Sequence, residues 1–393
     1  MSTGRKTGAL LLSAGALVIT IGVVEAVFHF AVRQIAPYPG IFFQTDQPQT
    51  RLLGYDDHYN GKADFDLRRD RPFKRLKNIG NTDDDGRYNH LEAGDAPNAT
   101  AIRINEFNLR ERDLYTLETL QDSAVVTLVV GDSFCYGQGI PVGDRFSNLL
   151  EVRLSIGGER HAIVNGCMGG MDISGIPAMT GRLVRVLGNV EQVIYAYNMN
   201  DAIQDSSLRE LARQSRQTQL FLNDANSSWI DHDGRVPVPD DRYFEWAKPF
   251  LRIWKSPFLL WLLERVGKQQ LTQNTLIWYD RMYNDNAGWT KTRAHLLKLR
   301  DYCSARGIDL TLVLFPVFFD LETYPLQRVH VVVRRFANSN GIPVLDLLPL
   351  FAGKEASDYW VHPRDFHPNG RAHQEVADFL YSALWADADQ RAK

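Results

Sequence analysis

Three side chains of this sequence could together attack an ester: Ser133, His367 and Asp365. A neutral serine hydroxyl is a poor nucleophile, so it needs a base that removes its proton and an acid that orients the base. We expect Ser133 to be the nucleophile, His367 the base and Asp365 the acid. The tetrahedral intermediate of this reaction carries an oxyanion, so the same site must also supply hydrogen-bond donors.

The serine follows an apolar run that predicts a buried strand. Residues 125–130 are all β-branched or aliphatic, and the run ends at Gly131, just before Asp132 and Ser133. Such a run is too short for an independent helix and is typical of a strand buried on both faces of a parallel sheet. An open α/β sheet places its chemistry outside the carboxyl ends of its strands, so we expect Ser133 at that edge.

Strand and helix patterns alternate along most of the remaining chain. The predicted strands cover 125–130, 162–165, 193–197, 308–316 and 343–345. The predicted helices cover 144–154, 176–187, about 250–266, 289–306, 327–337 and a closing segment from about 372 to 380. Alternation at this spacing predicts βαβ units with right-handed crossovers and a parallel sheet. The predicted fold class is therefore α/β.

Four short blocks resemble those of the SGNH, or GDSL, family of serine esterases and acyltransferases. In order, they are Gly131-Asp132-Ser133 with Gly137, Asn165-Gly166-Cys167-Met168-Gly169-Gly170, Asn198-Met199-Asn200-Asp201, and Asp365-Phe366-His367-Pro368-Asn369. The resemblance covers roughly residues 100 to 385. It implies a three-layer α/β/α, flavodoxin-like domain with a parallel sheet, a nucleophilic serine in the first block and ester chemistry.

The resemblance also implies the oxyanion donors. The family uses the serine amide, a glycine amide from the second block and an asparagine side chain from the third. Here these donors are expected on Ser133, on Cys167 and on Asn200. Cys167 stands where the donor glycine is expected, but a backbone N–H serves whatever its side chain, and Gly166 is the alternative. Besides Gly166, the neighbouring Asp132 and Asp201 are expected to support the site.

The proposed acid departs from the commoner form of the family's last block. That form places the acid three residues before the histidine, a position held here by Arg364. Asp365 must therefore act from two residues away, and Asp358 is the reserve candidate.

The cysteines leave two interpretations open. The chain has 3 cysteines, too few for a disulfide scaffold. Cys135 and Cys167 both lie near the proposed site, where an exported protein could oxidise them to a disulfide. The alternative is two separate, small, buried thiols.

An apolar run near the N-terminus, from Ala9 to Val32, predicts a transmembrane helix. Its about 24 residues would span about 36 Å as a helix, enough for a bilayer core. Arg5 and Lys6 precede the run, which favours a cytoplasmic N-terminus and an extracytoplasmic body. The alternative is a cleaved signal peptide.

The predicted organisation has three parts. Residues 1–34 form a membrane anchor, residues 35–120 an extracytoplasmic lead-in without chemistry of its own, and residues 121–388 the SGNH-like domain. A largely helical insertion at about 202–306 interrupts that domain. Its aromatic residues belong either to the core or to a groove for an acyl acceptor.

We expect a serine esterase that acts on O-acyl bonds in the cell envelope, at the cytoplasmic (inner) membrane, through an acyl-enzyme on Ser133. Its expected partners are an ester substrate, such as an acylated glycan, and the lipid bilayer. A net charge of −3 gives no reason to expect nucleic-acid binding, and we expect no cofactor or metal. The alternatives are an O-acyltransferase that modifies an envelope or exported glycan, and an inactive SGNH subunit for glycan binding or assembly.

Overall fold

The computed structural model describes most of the predicted α/β domain. The described residues are 16, 19–24, 87–88, 100–101, 109–110, 120, 125–156, 161–203, 208, 269, 272–362 and 365–386. The chain divides into two compact units, one of residues 1–43 and 210–275 and the other of residues 44–209 and 276–393. The second unit holds nearly all of the described residues and all of the predicted site.

The predicted membrane helix falls mostly outside these residues. Its residues 16 and 19–24 are helical. Within the described ranges, no helix is both long and apolar enough to cross a membrane. The rest of the anchor, most of the lead-in and the larger part of the insertion lie outside the described residues, so these parts of the organisation stay predictions.

Nine strands are described in the second unit. They are β1 (Arg87–Tyr88), β2 (Thr100–Ala101), β3 (Val125–Gly131), β4 (His161–Asn165), β5 (Val190–Tyr197), β6 (Asp309–Leu314), β7 (Val344–Asp346), β8 (Trp360–His362) and β9 (Asp365–Pro368). The strands β1 and β2 pair with each other, as do β8 and β9, and both pairs are antiparallel.

The α-helices assigned in this unit follow the predicted pattern closely. Those with both ends described are α1 (Ser133–Tyr136), α2 (Phe146–Ile156), α3 (Ile176–Leu187), α4 (Ala287–Ser304), α5 (Gln327–Ser339), α6 (Leu348–Phe351) and α7 (Gly370–Leu384), and residues 276–282 are also helical. The predicted bounds of α3 are reproduced, whereas the single turn of α1 was not expected. Sequence periodicity does not reveal a helix this short, because periodicity needs several turns.

Five of the strands form one parallel sheet, which confirms the predicted α/β class. Their order is β4-β3-β5-β6-β7, and every neighbouring pair is parallel. The first sheet strand along the chain thus lies between the second and the third, which is the flavodoxin-like order. In that order the crevice lies between the carboxyl ends of the first and third strands, here β3 and β5.

Helices cover both faces of this sheet and make it the middle of three layers. On one face α2 packs against α7, and the Phe146 N–H donates to Nδ1 of His373 at 3.1 Å. On the other face α3 packs against α4, and α4 meets α5 where the rings of Trp289 and Phe336 lie 5.8 Å apart. The central strand β3 is therefore buried on both faces, as its unbroken apolar run predicts.

The carboxyl end of β3 approaches β5 so closely that only glycine fits. A Cβ on Gly131 would lie 2.4 Å from the carbonyl oxygen of Ala196 and 2.6 Å from Sγ of Cys135. Gly131 also has a φ of 155°. Its lack of a side chain lets the chain leave the sheet directly beside β5, at the crevice.

We expect Gly131→Ala to destabilise the fold by about 1–3 kcal/mol, the usual cost of overpacking a close contact. Chemical denaturation would measure this loss. Gly143→Ala is the matched control, because a Cβ there meets nothing within 4 Å. Equal stability of the two variants would contradict the close approach of β3 and β5.

Candidate active site

The predicted nucleophile lies at the start of α1, immediately after β3. Asp132 caps this helix, because its Oδ1 accepts the N–H of Phe134 at 2.9 Å. Gly137 ends the helix in the left-handed region, with a φ of 72°. Ser133 is 4% exposed and Asp132 is fully buried. Strand β3 and a one-turn helix thus hold the serine at the predicted edge of the sheet.

The Asp132 carboxylate gathers several groups of the site. The Ser133 hydroxyl donates to Oδ2 of Asp132 at 3.3 Å, and the Asn200 side chain also donates to this carboxylate. Burial raises the pKa of the Asp132 carboxyl above its ordinary value. The Phe134 N–H, and the imidazolium form of His367 when it is present, act in the opposite direction and favour the carboxylate. Asp132, expected only to support the site, is therefore its central acceptor.

The predicted base lies beside the serine turn. His367 belongs to β9, and the hairpin of β8 and β9 was not predicted as strands. Its side chain is 7% exposed, and its ring lies 5.5 Å from the ring of Phe134, the residue after Ser133. Its protonated form would also favour the Asp132 carboxylate. The structure therefore brings the serine turn and the histidine together, although they are far apart in the sequence.

The structure gives different information on the two candidate acids, Asp365 and Asp358. Asp365 begins β9, but its side chain lies outside the described part of the structure, so its role stays a prediction. Asp358, the reserve candidate, is exposed and pairs with Arg371 at 3.2 Å. This ion pair turns the Asp358 carboxylate to a surface arginine.

The turn after β4 uses its own N–H groups to bind the rest of the protein. Oδ1 of Asn165 accepts the N–H of Cys167 at 3.0 Å. The Gly166 N–H donates to the Val129 carbonyl at 2.8 Å, in continuation of the sheet. The two amides expected to be the second oxyanion donor are thus engaged inside the protein. An engaged N–H reaches a substrate oxygen only after it gives up its present acceptor.

Two later residues of this turn are placed differently. Gly169 and Gly170 follow Met168, whose N–H donates to the Gly131 carbonyl at 2.9 Å. No residue in the described ranges accepts the N–H of Gly169 or Gly170. Gly170 is exposed and has a φ of 61°, a conformation that favours glycine. The sequence signal for it was the last glycine of the second block.

The structure resolves the open question about the cysteines. Cys135 and Cys167 form a disulfide with their Cα atoms 5.8 Å apart, and both are buried. The side chain of Asn165 bridges the same two residues, because its Nδ2 donates to the Cys135 carbonyl at 2.9 Å. One covalent bond and one amide thus tie the helix that carries Ser133 to the turn after β4.

The third block forms a short 3-10 helix, Met199–Asp201, after β5. Asn200 is partly exposed, and its Oδ1 is buried without a partner in the described residues. Asp201 is fully buried and accepts the Tyr195 hydroxyl at 2.9 Å and the Asn198 N–H at 3.2 Å. Burial, and then the charge of Asp132, raise the pKa of Asp201 well above its ordinary value. Asp201 thus shapes the turn that presents Asn200.

No protein-family model and no curated protein matches the sequence. Solved structures that match include TesA, at 14% identity and a TM-score of 0.39, over 66% of this chain and 98% of that one. The psychrotrophic esterase EstA from Pseudoalteromonas sp. matches at 13% identity and a TM-score of 0.37, over 66% of this chain and 96% of that one. The acetyl xylan esterase AlAXEase matches at 13% identity and a TM-score of 0.35, over 66% of this chain and 99% of that one. Identities and TM-scores this low do not carry an activity from those proteins to this chain.

We expect Asp132→Asn to fold but to lower kcat on a small acyl ester roughly 10- to 100-fold. The amide replaces one of two acceptor oxygens, and a lost hydrogen bond to a charged group corresponds to about 1.5–3 kcal/mol. Asp320→Asn is the matched control, because Asp320 also accepts an N–H, that of Thr323 at 3.3 Å, but in an exposed loop. Wild-type kcat in Asp132→Asn would show that this carboxylate does not organise the site.

Proposed function

We propose that this chain is a serine esterase that cleaves ester bonds through an acyl-enzyme on Ser133. One observation carries the proposal: the serine turn lies against the imidazole of His367 at the carboxyl edge of a parallel sheet. A buried carboxylate and a side-chain amide converge on the same turn. This combination supplies a nucleophile, a base and an oxyanion donor at one place, which acyl transfer requires.

In the first step the Ser133 hydroxyl turns from Asp132 towards His367. The imidazole takes the proton as Oγ bonds to the carbonyl carbon, and a tetrahedral oxyanion forms. When the intermediate collapses, the ester C–O bond breaks and the alcohol leaves with the proton from His367. Water then attacks the acyl-enzyme, His367 again accepts a proton, and the acid is released with Ser133 restored.

Asp365 is the proposed partner of the imidazole. It lies two positions before His367 in β9, a spacing that places residues on one face of a strand. In this role its carboxylate fixes the ring tautomer and stabilises the charged form of His367 after proton transfer.

The oxyanion donors follow from which N–H groups remain available. The Ser133 N–H has no acceptor in the described residues, and Asn200 has a second N–H beside the one that it gives to Asp132. We place the third donor on Gly170 rather than on Cys167, because the Cys167 N–H already donates to Asn165.

We further propose that the domain works in the cell envelope, outside the cytoplasmic membrane, on an O-acylated substrate such as an acylated glycan. The disulfide between Cys135 and Cys167 supports this location, because disulfides persist in oxidising compartments and are rare in the cytosol. The apolar N-terminal run is the proposed link to the bilayer. An O-acyltransferase would form the same acyl-enzyme and differ only in using a bound hydroxyl instead of water.

The proposal is tested by a fluorophosphonate probe, which reacts only with an activated serine. We expect the folded wild-type protein to be labelled and Ser133→Ala to be unlabelled. Ser155→Ala is the matched control, since Ser155 lies on α2 and bonds only the carbonyl of Glu151 among the described contacts; it should label as the wild type does. A folded wild-type protein that resists the probe would favour the inactive binding subunit instead.

A further inference from the structure

A buried arginine lies behind the serine turn and comes from outside the four family-like blocks. Arg110 belongs to the lead-in, which was expected to contribute no chemistry, yet it is only 3% exposed. The preceding Leu109 is also buried, at 2%. The end of the lead-in is therefore part of the folded domain rather than a linker.

The guanidinium of Arg110 holds the C-terminal end of α1. Its Nη1 donates to the carbonyls of Tyr136 at 2.9 Å and Gly137 at 2.7 Å, and its Nη2 donates to that of Ile140 at 2.6 Å. It also lies over the Tyr136 ring, 5.0 Å from the centroid. A helix cannot satisfy its own last carbonyls, and a cation at that end is favourable. Arg110 supplies both needs at once.

A second buried arginine fixes the main chain from which Arg110 reaches. Nη1 of Arg145 donates to the Arg110 carbonyl at 2.7 Å, and its Nε donates to Asn148 at 2.9 Å. The side chain of Arg145 also passes close to Gly137, where an added Cβ would lie 2.6 Å from its Cγ. Arg110 is thus held in a single packed position against the end of α1.

We propose that Arg110 is a positioning residue for the nucleophile Ser133, an inference that rests on the proposed function. Helix α1 is one turn long, so a shift at its C-terminal end moves its first residue as well. Asp132 holds the start of the turn and the disulfide of Cys135 holds its middle. Arg110 fixes the C-terminal end of the same turn through its hydrogen bonds to the carbonyls. A displacement of about 1 Å from the reactive geometry can cost about 10²-fold in rate.

The test is Arg110→Lys, which keeps the charge but replaces the planar fork with a single ammonium group. One ammonium cannot reproduce the fork's bonds to three carbonyls, so we expect kcat and the rate of fluorophosphonate labelling to fall about 10- to 100-fold. KM should change by less than about threefold, because Arg110 lies behind the turn, away from the substrate. Added guanidinium ion should restore part of the labelling rate in Arg110→Ala.

Leu299→Ala is the control for a general loss of stability. Leu299 is fully buried on α4, in the layer that packs on the other face of the sheet from α2, and the truncation leaves a cavity. At a temperature where both variants are folded, it should keep wild-type kcat. Folded Arg110→Lys with wild-type kcat and labelling rate would overturn the positioning role and leave the proposed function standing. Failure of the wild type itself to label would overturn both.

Discussion

A carboxylate buried at the end of the central strand is the interaction on which this site depends. Asp132 receives the Phe134 N–H, the Ser133 hydroxyl and the Asn200 amide, so one side chain joins the nucleophile to its proposed oxyanion donor. Burial of a carboxylate is costly unless such donors surround it. The buried Asp132 carboxylate therefore constrains the geometry of the site, because these donors must lie around it to offset the cost of its burial.

The remaining contacts hold the nucleophile turn from other directions. The disulfide and the Asn165 amide join it to the turn after β4, and Arg110 binds its far end. Restraints of several chemical kinds thus act on one helical turn. A turn this short has little stability of its own, since helix formation needs several residues before hydrogen bonds repay their ordering. Its rigidity comes from its surroundings.

The strands of the sheet and most of the helices could be predicted from the sequence. A strand that is buried on both faces is an unbroken apolar run, and a helix with one buried face has apolar residues at helical spacing. Ser133 and His367 could be paired because each lies in a short block that resembles a block of the SGNH family. The role of Arg110 could not be predicted, because its side chain binds main-chain carbonyls. Every residue has a carbonyl, so no sequence pattern indicates which ones an arginine binds. The engagement of the Cys167 N–H could not be predicted for a related reason: only coordinates show that Asn165 already accepts it. The disulfide likewise depends on how close two turns approach.

The most direct measurement is a crystal structure of the protein inhibited by a phosphonate ester. The account predicts the phosphorus bonded to Oγ of Ser133, with this oxygen turned away from Asp132 and within about 3 Å of the His367 imidazole. The phosphonyl oxygen should face the Ser133 N–H and the Asn200 side chain, while Asp132 keeps its bond from Phe134. A phosphonyl oxygen directed away from both donors, or an adduct on another residue, would contradict it.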